Sequence, residues 1–133
     1  MEGKVDTIVV LDDDRTFTGL LKTVFEMEGY RVVVLSWPGD TLATAREERP
    51  SLVLMDVHAG EGDTLGIIRA LREDEATKSV PIMMTSGMDR RDECLEAGAD
   101  AFILKPFRPG DLLAAVEKLL SERSTDADSG TSR

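Results

Sequence analysis

The sequence predicts one α/β domain, a doubly wound parallel sheet of five strands with helices on both faces. Three observations predict it. Short aliphatic runs alternate with stretches at helical spacing, the pattern of repeated β-α units. Four of the runs are apolar almost throughout, as strands buried on both faces must be. Each of these four ends in polar groups. Thr7–Leu11 runs into Asp12-Asp13-Asp14, Leu52–Met55 into Asp56, Pro81–Met84 into Thr85-Ser86, and Ala101–Leu104 into Lys105-Pro106. Ligands of such sheets bind outside the carboxyl ends of the strands. The four runs therefore place an acidic cluster, a hydroxyl and an ammonium around one point.

Taken in order, the first strand ends at Leu11. Phe17, Leu20, Leu21, Val24 and Phe25 then fall at helical spacing, with Gly29 as the C-terminal stop. Arg31–Leu35 reads as the second strand. Trp37-Pro38-Gly39-Asp40 is a turn, and Pro38 suits the first turn of a helix reaching about Glu48. Arg49-Pro50 stops that helix, and the third strand is Leu52–Met55. A loop from His58 to Gly62 leads to a helix over 63–73, with Leu65, Ile68 and Leu71 inward. Ile82–Met84 is the fourth strand. A short helix over 89–97 is stopped by Gly98, and Ala101–Leu104 is the fifth strand. The last helix follows Pro109-Gly110-Asp111 and buries Leu112, Leu113, Val116, Leu119 and Leu120. The domain is expected to fill residues 1–122. Residues 123–133 are too polar to bury surface and read as a disordered tail. With right-handed crossovers, the natural solution is the flavodoxin-like strand order 2-1-3-4-5. That order sets strands one and three side by side, so Asp12, Asp13 and Asp56 converge.

Composition narrows the class. The 133 residues carry a net charge of −10, which argues against nucleic acid or an anionic membrane as a partner, since phosphate binding needs clustered Lys and Arg. Hydrophobic residues are 41% and aromatics 5%, so the core is mainly aliphatic, with the methionines, Met83 and Met84 among them, as filler. Cys94 is the single cysteine, which rules out an intrachain disulfide and reads as a half-buried helix residue. No signal peptide is expected before the first strand, and no apolar run approaches the roughly 18 residues of a membrane span. These features suit a cytoplasmic protein.

The chemistry follows from the cluster. Carboxylates within a few ångströms repel one another, and a divalent cation removes that penalty. All-oxygen ligands in an open site favour Mg²⁺, held by one or two carboxylates, waters and a phosphate oxygen. A carboxylate beside it can act as a nucleophile toward phosphorus. Lys105 can supply positive charge, and Thr85 a donor, to the phosphoryl oxygens.

Val10-Leu11-Asp12-Asp13-Asp14, Leu54-Met55-Asp56, Met84-Thr85-Ser86, Gly98–Phe102 and Lys105-Pro106-Phe107 together resemble the receiver domain of two-component response regulators, over about residues 7–122. Each motif alone is weak, but all five in this order are specific. The resemblance implies that Asp56 accepts a phosphoryl group from a histidine kinase or phosphotransfer protein. It implies that Asp12, Asp13, Asp56 and the backbone carbonyl of His58 hold Mg²⁺, with Asp13 the more direct ligand and Asp12 acting partly through water. Thr85 and Lys105 would contact the phosphoryl oxygens, and the Lys105–Pro106 peptide would be cis. Phe102 is either plain core or a ring whose rotamer reports phosphorylation. The implied protein is a signalling domain and not an enzyme in its own right. It would be a monomer or a weak phosphorylation-dependent dimer, with an unidentified downstream protein target.

The sequence departs from the family pattern in three places. The family often has Pro four residues after the phosphoacceptor and Gly eight after it, where this chain has Gly60 and Thr64, so a more mobile loop is expected. The stretch from Thr85 to Gly98 is about two residues short, so the fourth helix should be short and the usual output face altered. Asp14 reads mainly as a helix cap. His58 is the only histidine and is given no catalytic side-chain role. Trp37 is either local packing or a contact residue. Two rival readings exist. Asp12-x-Asp14-x-Thr16 also resembles the nucleophile motif of haloacid-dehalogenase-like phosphatases, with Asp12 as nucleophile and Asp14 as general acid, but that leaves Asp56 unexplained. The other rival is a receiver-shaped interaction module that works without phosphorylation.

Overall fold

The computed structural model describes residues 6–60 and 62–132, with side chains as far as Glu122. Among the described residues are seven strands: β1 (Thr7–Leu11), β2 (Arg31–Leu35), β3 (Leu52–Asp56), β4 (His58–Ala59), β5 (Gly62–Asp63), β6 (Ile82–Ser86) and β7 (Ala101–Leu104). Five α-helices alternate with them: α1 (Arg15–Met27), α2 (Thr41–Glu48), α3 (Leu65–Glu73), α4 (Arg91–Ala97) and α5 (Pro109–Ser132). The main sheet is parallel throughout, in the order β2-β1-β3-β6-β7. That is the 2-1-3-4-5 order expected, once the two-stranded ribbon β4–β5 is counted in the chain.

Strand periodicity of two sorts the aliphatic side chains to opposite faces. Val9, Leu11, Val53, Met55, Ile82 and Met84 pack with Ala45, Ile68, Leu71 and Cys94 beneath α2, α3 and α4. Ile8, Val10, Leu52, Leu54 and Met83 pack with Leu21, Phe25, Leu112 and Val116 beneath α1 and α5. A sheet covered on both sides accounts for the near-continuous apolar runs of β1, β3 and β6.

Several details differ from the sequence reading. Pro38 opens a 3-10 turn, Pro38–Asp40, that runs directly into α2 at Thr41, so the α-helix itself starts three residues after the proline. The helix expected from residue 63 begins at Leu65, because Asp63 is held in the ribbon opposite His58. Leu20 points outward at 47% exposure, since the face that meets the sheet runs through Thr18, Leu21 and Phe25. Cys94 is wholly buried rather than half-buried, because α4 lays it against the core under β6 and β7. The expected short fourth helix is found, at seven residues. The α5 backbone runs on to Ser132 through the stretch read as a tail, where no proline interrupts the helical ladder. Residues 1–5 and 133 lie outside the described residues, as does anything read from them.

Candidate functional site

The carboxyl ends of β1, β3, β6 and β7 meet at one edge of the sheet. Asp12 leaves β1 directly and is 3% exposed, with Oδ1 accepting the Asp14 N–H at 2.9 Å. Asp14 has extended backbone angles and accepts the Phe17 N–H at 3.0 Å, the geometry of an N-cap for α1. Asp13, exposed between them, accepts the Gly60 N–H on Oδ2 at 3.2 Å. Asp56 ends β3, in register with Thr85 of the adjacent β6, and its Oδ1 accepts the His58 N–H at 3.2 Å. Thr85 is buried.

Lys105 closes the group from the far strand. The Lys105–Pro106 peptide is cis, and the Lys105 N–H donates to the Ser86 carbonyl at 2.7 Å. Its Nζ donates to Asp12 Oδ2 at 2.9 Å and to Asp56 Oδ2 at 3.2 Å, and stands 4.5 Å from the centre of the Phe17 ring. Phe17 meets Phe107 edge to face, centroids 5.6 Å apart, so the ammonium rests on an aromatic pair carried by α1 and the segment after β7.

One cation thus serves two carboxylates. Burial lowers the Lys105 pKa, but the Asp12 hydrogen bond and the charges of Asp12 and Asp56 outweigh it, and the net direction is up. Asp12 moves upward as well. Its burial raises the pKa more than the Asp14 N–H and Lys105 lower it, and the charge of Asp56 adds to the rise. An ion pair alone would lower Asp12. Burial, not the charges around it, sets the upward direction at Asp12.

The donor set is all oxygen and suits a hard divalent cation, which needs only one or two carboxylates with waters. Among the described residues no three acidic, histidine or cysteine side chains are already grouped as a metal shell. Lys105 lies between Asp12 and Asp56, and Asp13 is engaged by Gly60.

The structure also brings in residues that the sequence reading did not assign. The two departures at 60 and 64 are used. Thr64 is fully buried, donating its hydroxyl to the Asp56 carbonyl at 2.9 Å and its N–H to the Val57 carbonyl at 2.8 Å. With φ of −104° it has no need of glycine. Thr64 thus ties the end of the loop back to the end of β3. Arg90, just before α4, lies 3.4 Å from His58 Nε2 and 3.8 Å from the Asp63 carboxylate. No spacing in the sequence points to Arg90, because the contact is made between two loops. Phe102 is 6% exposed within the core, in register with Met84 and capped by the Arg91 guanidinium at 5.6 Å. Trp37 is 61% exposed.

With this geometry in view, the model of the response regulator receiver domain matches residues 8–117. The chain belongs to the response regulator receiver family. The DNA-binding response regulator MtrA of Mycobacterium tuberculosis (strain ATCC 25618 / H37Rv) is 38% identical over 123 residues, 90% of this chain and 53% of that protein. The CheY-like receiver domain protein of Methanospirillum hungatei JF-1 superposes with a TM-score of 0.84 at 27% identity, covering 92% of this chain and 99% of that one. The receiver domain of the sensor histidine kinase PA1611 from Pseudomonas aeruginosa PAO1 was solved with a magnesium ion in its active-site cleft. It shares the fold at a TM-score of 0.79 and 22% identity, over 89% and 99% of the two chains.

The chain spans about half the length of the curated relatives it matches. Receiver domains are signalling domains that work with histidine kinases and downstream effectors. The expectation of no nucleic-acid partner finds no support in these relatives, some of which are DNA-binding regulators. Among the described residues no helix is long and apolar enough to cross a membrane.

Proposed function

We propose that Asp56 accepts a phosphoryl group in a Mg²⁺-dependent reaction and that the phosphorylated domain binds its partner differently. The observation that carries this reading is the Lys105 ammonium shared between Asp12 and Asp56 at the strand ends. The donor is a phosphohistidine of a histidine kinase or phosphotransfer protein, or a small acyl phosphate. An Asp56 carboxylate oxygen attacks phosphorus in line, the P–N bond to imidazole, or the P–O bond to the carboxylate of an acyl phosphate, breaks with release of that group, and the new P–O bond leaves an aspartyl phosphate. Lys105 holds charge against the equatorial oxygens, and Thr85, in register with Asp56, donates its hydroxyl.

Asp12, Asp13, Asp56 and the His58 carbonyl would hold Mg²⁺. That ion supplies electrostatic neutralisation of the incoming phosphoryl group. Hydrolysis by water returns the free carboxylate, so the domain is a switch with limited self-dephosphorylation rather than an enzyme. The output surface is α4–β7–α5, with Phe102 on β7 packed in the core in register with Met84. The domain acts in the cytoplasm as a monomer or weak phosphorylation-dependent dimer, and in a longer protein the output could be DNA binding. Asp14, occupied in capping α1, is poorly placed for the general acid of a dehalogenase-like phosphatase.

Intact-mass analysis after acetyl phosphate and Mg²⁺ tests the reading. One phosphoryl group should add to the wild type and none to Asp56→Ala; equal addition to both refutes it.

A further inference from the structure

The loop between β3 and α3 carries a contact to the acidic cluster. Gly60 has φ of +70° and gives its N–H to Asp13 Oδ2 at 3.2 Å. A proline there would have no N–H, and its φ is fixed near −65°. A side chain is disfavoured too, since a Cβ would lie 3.2 Å and 3.3 Å from Pro38 Cδ and Cγ. The frame around Gly60 is firm. The ribbon pairs His58 with Asp63 and Ala59 with Gly62, Arg90 stands against Asp63, and Thr64 ties the exit of the loop to Asp56. The Gly60 amide thereby faces Asp13.

We propose that Gly60 is a latch on the cation site. Its amide engages Asp13 Oδ2, and a divalent cation held beside Asp12 and Asp56 competes with that hydrogen bond for the Asp13 carboxylate. The inference rests on the reading of Asp13 as a Mg²⁺ ligand. It makes residue 60 a positioning residue that lowers metal affinity. The hydrogen bond is exposed and charge-assisted, so its loss should tighten binding by about fivefold. The latch also has a reporter. A Cβ at residue 60 would meet Pro38, and the adjoining Trp37, the only tryptophan, is exposed.

The test follows amide exchange with water at Gly60 in ¹⁵N-labelled wild type during a Mg²⁺ titration, together with shifts of the Asp12, Asp13 and Asp56 amides. Trp37 fluorescence gives the Mg²⁺ affinity of wild type, Gly60→Pro and Gly60→Ala. The Gly60 amide should be protected without metal and lose protection at the concentration that shifts Asp13. Gly60→Pro should bind Mg²⁺ about fivefold tighter, and Gly60→Ala tighter by less, because it keeps the N–H but strains the turn. If Asp12, Asp13 and Asp56 respond to Mg²⁺ while Gly60 exchange does not change, or if Gly60→Pro binds no tighter, the latch is wrong and the metal site stands. If none of these amides responds, the metal reading and the latch fall together.

Discussion

Thr64→Val removes one hydroxyl and almost no volume from the segment that follows the phosphoacceptor. In the wild type that hydroxyl, fully buried, donates to the Asp56 carbonyl at 2.9 Å. The valine leaves this acceptor facing a methyl group. A buried acceptor without its partner costs about 1–3 kcal/mol, part of which the added apolar burial offsets, for a net loss of about 1–2 kcal/mol. A domain of this size unfolds in urea with a slope of about 1.5 kcal/mol per molar, so the midpoint should fall by about 1 M with the slope unchanged. Equilibrium urea denaturation of the metal-free protein at pH 7 measures it. Thr64→Ser should keep most of the stability, and Thr64→Gly should lose more than Thr64→Val, because it also frees the unfolded backbone. A midpoint shift below about 0.2 M for Thr64→Val would show that the hydroxyl does not hold the loop.

The charged residues give three further expectations. The Asp12 pKa lies above its ordinary value of 3.8 in the fold, so the native state holds the proton more tightly than the unfolded chain, and stability falls as pH rises from 3.8 through the native pKa. Asp12→Asn should therefore melt above metal-free wild type at pH 7, with the gap closing as pH is lowered toward 3.8; calorimetry across that range checks it. Lys105→Met should slow phosphorylation by acetyl phosphate by about 10²-fold, the usual cost of one charge or donor aimed at the reacting group, as followed by intact mass over time. Arg72 donates to the Gly98, Lys78 and Val80 carbonyls and to Asp100, joining the end of α3 to the start of β7. Arg72→Lys cannot reproduce that fork and should cost about 2–3 kcal/mol in denaturant unfolding.

What the sequence made legible follows from where its signal is strong. Strands buried on both faces leave long apolar runs, so β1, β3 and β6 could be read; β7, expected to be buried too, is instead an edge strand with Leu104 exposed, and the polar residues at the four strand ends marked the site. β2 is a half-covered edge strand but sits between clear helical stretches. The ribbon β4–β5 could not be read, because two-residue strands carry no periodicity and their pairing depends on the turn between them. Thr64 looked like a departure from pattern, yet its hydroxyl does a job that only the fold reveals. The partner of Gly60 is 47 positions away in sequence. Cys94 was placed on α4, but its depth depends on how closely that short helix sits on the sheet. Leu20 shows the limit of spacing alone, since a residue at the margin of an apolar stripe can face either way.

The central claim is that Asp56, and neither of the aspartates beside it, carries the phosphoryl group. Borohydride reduces an aspartyl phosphate to homoserine and leaves free carboxylates untouched, so the acceptor can be fixed by peptide sequencing. After treatment with acetyl phosphate and Mg²⁺, then borohydride, homoserine should be found at position 56 and be absent when Mg²⁺ is withheld. Homoserine at position 12 or 13, or at 56 equally without Mg²⁺, would contradict the account.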